Sequence, residues 1–310
     1  MFGYLGTYTA PGSLGVYRFQ FDPATGALGA LELLCLAPDA KYAALAENAL
    51  FAPVRRGGRA GLLAVDRTTG AVLDELLLEE VPACYVAVHG GRVYTANYHE
   101  GSVLSYDWDG RRLTPVRRLT IAPKAGCHQV LFHGSTLLVP CLELDEMRLF
   151  DLDRDWVPVG AIPFPPGSGP RHGVFRGDRL FLVGERSCQL FTLRAGTWAI
   201  EQAVPIPSAG AAAAVRLSSD GRFLYTSTRG ADLLSVFRVD RARPELIQQV
   251  PCGGKHPRDF TLSPDGRHLL VVNRTSGGLV SFGLDPETGL IGAICGRVDC
   301  AEGVSVCLED

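Results

Sequence analysis

Short runs of alternating apolar and polar residues recur down the chain, and all but one close on an aspartate. They are VYRFQFD ending at Asp22, LLAVD at Asp66, VLSYDWD at Asp109, MRLFDLD at Asp153, QLFTLR at Arg194, LSVFRVD at Asp240 and LVSFGLD at Asp285. Successive ends lie 44, 43, 44, 41, 46 and 45 residues apart. Period-two alternation marks strands, and a fixed period of this length marks a repeat architecture. Ahead of each run lies a turn and a second strand: HGGRVYTAN (89–97), HGSTLLVP (133–140), RGDRLFLVGE (176–185), SDGRFLYTST (219–228) and PDGRHLLVVN (264–273). Asp-Gly and Gly-Gly between apolar runs are strong hairpin signals. A further strand precedes each turn (CYVAVH, CHQVLFH, RHGVFR, AAVRLS, RDFTLS), and a fourth follows the Asp-terminated one, as in LTPVRRLTI, WAIEQAVPI and PELIQQVP.

Four short antiparallel strands per period of about 44 residues describe a propeller blade. Seven periods fill residues 1–310, which predicts an all-β, seven-bladed β-propeller as a single domain. No segment carries a helical periodicity of ten residues, so helix should be scarce. The first period lacks its innermost strand, and EGVSVCL (302–308) is left over at the other terminus. The two should meet, with 302–308 pairing beside 3–9, which closes the ring and hides two sheet edges.

Composition narrows the function. Lys and Arg number 30 against 33 Asp and Glu, so the net charge is −3, with no electrostatic footprint for nucleic acid and no polybasic membrane patch. No run reaches the ~18–20 apolar residues of a membrane span. The N-terminus MFGYLGTYTAPGS lacks a basic segment followed by an apolar one, so a cytoplasmic location is expected. Nine cysteines stand at 35, 84, 127, 141, 188, 252, 295, 300 and 307 without a C-x-x-C pair, which predicts reduced thiols, no disulfides and no bound zinc.

Strand direction alone gathers residues onto one mouth of the ring. The first strand of a blade starts on the side where the second ends. Starts carry Cys84-Tyr85, Cys127-His128, Arg171-His172 and Arg258-Asp259. Ends carry Asn97-Tyr98-His99, Glu143, Glu185-Arg186, Arg229 and Asn273-Arg274. The opposite mouth holds only hairpin turns. Arginine forks suit a carboxylate or phosphate, and a histidine near a glutamate can move a proton, so the expected ligand is a small anion. No nucleophile-elbow, phosphate-loop or dinucleotide motif occurs. No spacing of His and carboxylates singles out a metal site, and neither metal nor cofactor is expected.

The motifs GTYT (6–9), ANYHEGSV (96–103), CHQV (127–130), GSGPRH (167–172), HPRDF (256–260) and SPDGRHLLVVN (263–273) resemble the seven-bladed propeller lactonases over essentially the full length. That family contains bacterial cytosolic 6-phosphogluconolactonases and fungal carboxymuconate-lactonizing enzymes. The resemblance implies four catalytic residues, carried by motif onto His128, Arg171, Glu185 and Arg229. It implies a small anionic lactone or sugar phosphate as ligand and a role in pentose phosphate metabolism; the mouth itself offers Asn97, His172, Arg258 and Arg274 as substrate-binding residues, with Arg229, Arg258 or Arg274 to hold a phosphate. The sequence departs from the family pattern at Gly184, where an Asn is usual, and at Ala211–Ala214. The expected reaction is lactone hydrolysis. Cycloisomerisation of a muconate-type polycarboxylate, and a non-catalytic binding propeller, are the alternatives. Whether His128 or Glu185 serves as general base stays open in the sequence.

Overall fold

The computed structural model describes residues 1–309. They form seven four-stranded antiparallel sheets. Counting the sheet completed by both termini as the seventh, blade 1 is built from Ala44–Ala46, Ala49–Arg56, Arg59–Asp66 and Val72–Glu79. Blade 4, which carries much of the site, comprises Pro170–Arg176, Arg179–Gly184, Gln189–Arg194 and Ile200–Pro205. Blade 7 takes its innermost strand, Gly303–Leu308, from the C-terminus and lays it against Phe2–Thr7 in the register Gly3↔Leu308 and Leu5↔Val306. Glu309 adds a side-chain clasp by accepting from the Tyr4 hydroxyl at 2.8 Å. The only helix among the described residues is one 3₁₀ turn, Leu142–Leu144.

The middle strands read as continuous apolar runs because both of their faces are buried. In blade 4, Leu180 and Leu182 pack toward blade 3, while Phe181 and Val183 pack toward blade 5. The same division repeats round the ring. Each of the seven apolar clusters is shared by two neighbouring blades, so the core is a set of seven interfaces with no central hydrophobic mass. One blade alone would leave both faces wet.

The strand-ending aspartates fasten the outer hairpins. Asp66 accepts from the backbone amides of Thr68 and Thr69, and Asp285 from those of Glu287 and Thr288. Such Asx turns give the chain a local reason to reverse. In blade 3 this role falls to Asp151, which accepts from the Asp153 amide, and the strand ends there. The motif D-x-D offers two equivalent carboxylates, and the strand ends on the first of them, two residues before the Asp153 that the repeat predicts.

Every third-to-fourth strand ladder carries at least one register shift, for example between Ser105 and Tyr106 and between Thr192 and Leu193. These bulges twist the outer strands. The innermost ladders of blades 4, 5, 6 and 7 break too, always at the same mouth. Pairing lapses between Pro170 and Gly173, between Ala212 and Val215, and between Pro257 and Asp259. In blade 3 the expected strand over CHQVLFH shrinks to Leu131–His133, with an isolated bridge at Cys127↔Cys141.

Candidate functional site

The breaks in the inner ladders hold most of the candidate site residues. Where the first strand peels away from the second, its side chains and carbonyls are released toward the channel. His128, Arg171 and Arg258 all stand in such gaps, and so does the carbonyl of Ala213. Bulged pairing of this kind re-aims side chains beside active sites.

Glu185 is the centre of the arrangement. It follows the second strand of blade 4, and its backbone is pinned from both sides, its amide donating to Gly169 O at 2.7 Å and its carbonyl accepting from Ala212 N at 3.0 Å. Its Oε2 lies 2.7 Å from Arg171 Nε and 2.9 Å from Arg229 Nη2, so one carboxylate oxygen forms ion pairs with guanidiniums from blades 4 and 5. Arg171 is 2% exposed and also donates from Nη1 to the Ala213 carbonyl; Arg229 donates to Ala212 O at 3.3 Å. The alanine run 211–214 therefore meets both guanidiniums through its backbone carbonyls, while Ala212 and Ala214 pack their side chains between blades. The departure at Gly184 has a steric cause, because a Cβ there would fall 2.5 Å from Ser187 Oγ and 2.9 Å from Ser168 O. The GSG run before Pro170 is a turn held by Asp145, whose carboxylate accepts from the Gly167 and Gly169 amides, both at 2.7 Å.

Burial would raise the carboxyl of Glu185, but the charges of Arg171 and Arg229 outweigh it and hold the group below its usual range. Arg171 is pushed down to about 10 by burial, against the pull of Glu185, and remains a cation at neutral pH. His128 is 5% exposed, and its Nδ1 has no protein partner. Burial, reinforced by Arg171, Arg258 and Arg229, holds its imidazole well below the ordinary histidine range. His128 is thus neutral at pH 7 and able to accept a proton. Its ring stands edge-on to His172 at 5.0 Å between centroids and to Tyr98 at 5.8 Å.

The other expected residues sort into different positions. His172 lies behind the site, 2% exposed, packed against Tyr85 and set 3.4 Å from Arg171 Nη1 through its Nδ1. It supports Arg171 from behind. Asn97 departs from its expected substrate-binding role. It is fully buried, and its amide donates to Glu79 Oε1 at 2.8 Å and to Val81 O at 2.6 Å, while Oδ1 accepts from Glu100 N. The sequence placed it at the right end of the strand, but that residue turns inward to tie two strands together. Asn273 does the same in blade 6, donating to Cys252 O. Arg274 is engaged by Glu302 at 2.6 Å. Arg258 has no acidic partner within 4 Å among the described residues and lies with its guanidinium carbon 5.5 Å from the Tyr8 ring centroid. Glu143 belongs to the rim, where it accepts from Tyr98 and pairs with Arg186.

One residue escaped the sequence reading. In blades 1 to 4 the last inner residue paired before the hairpin turn is Ala46, His89, His133 and Arg176. Five residues earlier stand Lys41, Cys84, His128 and Arg171. Lys41 is therefore the blade 1 counterpart of His128 and Arg171. The signal lay in counting back from the turn, which the weak match of blade 1 to the repeat obscured.

Below the mouth the channel is crossed by polar side chains. Arg216 of blade 5 pairs with Asp259 of blade 6 at 2.8 Å, and the Tyr42 and Tyr85 rings lie 4.5 Å apart. Among the described residues no three His, Cys, Asp or Glu side chains gather as a metal-binding group, all nine cysteines are free thiols, and no helix is long and apolar enough to cross a membrane.

Residues 2–308 match a family model described as lactonase, 7-bladed β-propeller. A 6-phosphogluconolactonase of Bacillus subtilis (strain 168) is 30% identical, the alignment covering 93% of this chain and 92% of the relative. Among solved structures, a protein from Lactobacillus plantarum superposes with a TM-score of 0.89 at 29% identity, covering 98% of both chains. The periplasmic gluconolactonase of Pseudomonas aeruginosa superposes with a TM-score of 0.84 at 27% identity, also covering 98% of both.

Proposed function

The chain belongs to the seven-bladed β-propeller lactonase family, and from that premise we propose that its mouth hydrolyses the lactone of a phosphorylated sugar acid, 6-phosphogluconolactone, to 6-phosphogluconate. The observation that carries this reading is the Arg171–Glu185–Arg229 bridge with a neutral histidine beside it.

The roles follow from protonation state. A lactone carbonyl that enters the mouth meets Arg171, whose Nη2 has no protein acceptor among the described residues. Water attacks the carbonyl carbon, its proton passing to His128, and negative charge develops on the carbonyl oxygen beside the guanidinium. Collapse of the intermediate breaks the bond to the ring oxygen, which leaves with the proton carried by His128. Glu185 stays ionised throughout, and both of its neighbours are cations it holds in place, so it positions charge and His128 is the base. Arg171, Arg229, Arg258 and Lys41 outnumber the single carboxylate of Glu185, in a protein whose overall charge is −3, and this asymmetry suits an anionic substrate. Nine free thiols and a sugar phosphate substrate both suit the cytoplasm.

The test is a spectrophotometric assay of lactone opening, coupled to 6-phosphogluconate dehydrogenase and corrected for spontaneous hydrolysis. Enzyme-dependent turnover is expected. Absence of turnover, or turnover only with a muconate-type polycarboxylate, would overturn the reading.

A further inference from the structure

The mouth has two unlike arcs. Blades 3 to 5 supply His128, Arg171, Glu185 and Arg229. Facing them, blades 6, 7 and 1 supply Arg258, Tyr8 and Lys41, residues to which the hydrolytic step gives no task. These three stand together. The Lys41 ammonium lies 5.8 Å from the centroid of the Tyr8 ring, the Arg258 guanidinium carbon 5.5 Å, and that of Arg274 4.7 Å. Of the three cations around this one phenol, only Arg274 has a carboxylate, Glu302.

Lys41 is the clearest anomaly. It is 8% exposed, and no Asp or Glu among the described residues lies within 4 Å of its amine. Its stem is buried while its amine opens to the channel, where no carboxylate offsets the charge. One aromatic face shared among three cations compensates only in part. A second, like charge close by makes the deficit larger. An anion that entered between Lys41 and Arg258 would cancel it.

We propose that Lys41 and Arg258, set about the face of Tyr8, form an anion subsite that receives the phosphate of the substrate while its carbonyl lies against Arg171. The inference rests on the lactonase reading and adds a selection rule to it: the enzyme distinguishes a phosphorylated sugar lactone from the unphosphorylated one through Lys41. Geometry supports the pairing of arcs. Lys41 stands as many residues before its hairpin turn as Arg171 does, and the Cys84 thiol feels the charges of Lys41, Arg171 and Arg258 together, so the three cations share one channel. Arg258 is felt electrostatically by His128 and by Glu185, which places it across the same opening. Tyr8 follows the second strand of blade 7, the position Glu185 holds in blade 4, and presents a flat wall where the opposite arc presents a charge. A dianionic phosphate accepts from an ammonium and a guanidinium at once, whereas a neutral hydroxymethyl group would leave both cations unpaired.

Calorimetric titration with 6-phosphogluconate and with gluconate tests the subsite apart from catalysis. The wild-type protein should bind 6-phosphogluconate at least about tenfold more tightly than gluconate, the size expected of one charge-assisted contact. Lys41→Met should bring that ratio close to one, and Lys41→Arg should restore most of it. In the lactone assay Lys41→Met should raise KM for 6-phosphogluconolactone more than it lowers kcat. Arg258→Met supplies the same ratio test should Lys41→Met fold poorly. Equal binding of the two acids by the wild-type protein, or a ratio that survives both Met substitutions, would overturn the subsite. A wild-type protein that opens no lactone yet shows the Lys41-dependent preference would support the subsite while removing the lactonase reading.

Discussion

At the scale of single residues the site is defined by which groups hold charge. Glu185 is a carboxylate kept ionised by two guanidiniums, and His128 is an imidazole kept neutral by burial and by three arginines. The kinetic consequence has a definite sign. In the proposed mechanism His128 acts in its unprotonated form, and its protonation falls well below pH 6.5, so kcat/KM should stay on its plateau at pH 6.5 and decline only in more acid solution. Loss of half the activity at or above pH 6.5 would assign the proton transfer to another group. On the alkaline side Arg171 deprotonates at about 10, so the plateau should extend through pH 8. Glu185→Gln keeps the shape but removes the charge that holds Arg171 and Arg229 together. It should lower kcat by about 10²-fold, comparable to losing one oxyanion donor, with less effect on KM. A change confined to KM would make Glu185 a binding residue.

At the scale of elements, the ends of strands decide between structural and functional use. Asn97 and Glu185 both lie at the mouth end of second strands, yet one turns inward and the other faces the channel. Glu79 shows what Asn97 is for. Burial raises its carboxyl to about 7, and the hydrogen bond from Asn97 is what holds it that low. Asn97→Ala should destabilise the protein by about 1–3 kcal/mol, the cost of a buried acceptor left unpaired. The loss should be larger at pH 8 than at pH 6, because Glu79 without its donor resists ionisation above pH 7. Urea titrations at the two pH values read this directly, and a pH-independent loss would contradict it. Gly101 explains part of the same turn: its φ is +66°, and a Cβ there would sit 1.7 Å from Ala122 O. The strand pattern, the turns and the shared mouth were all legible in the sequence, because alternation and turn residues are local signals. The inward rotation of Asn97 and the lapses in pairing at Arg171 and Arg258 were not, since each depends on what a neighbouring blade presents. Lys41 lay between these cases, visible by register but not by motif.

At the scale of the whole molecule, seven shared interfaces make the ring cooperative, and the pairing of Gly303–Leu308 with Phe2–Thr7 closes it. Ending the chain before Gly303 would remove that strand and expose the flanks of blades 6 and 7. Such a truncation should abolish the single thermal transition, and a Tm within a few degrees of the intact chain would show that closure is dispensable. The ring also explains how distant segments build one site: residues 41 to 258 reach the same mouth because each blade offers its first strand to the channel. Fold and mouth followed from the period of the repeat, but the protonation states that separate His128 from Glu185 needed the packed structure. The most direct test of the account is steady-state hydrolysis of 6-phosphogluconolactone by the wild-type protein and by Arg171→Ala, assayed together above the spontaneous rate. The account predicts clear wild-type turnover and a kcat lower by about 10²–10³-fold in the variant, the usual cost of one oxyanion-stabilising donor. Turnover that survives the loss of Arg171 would contradict it.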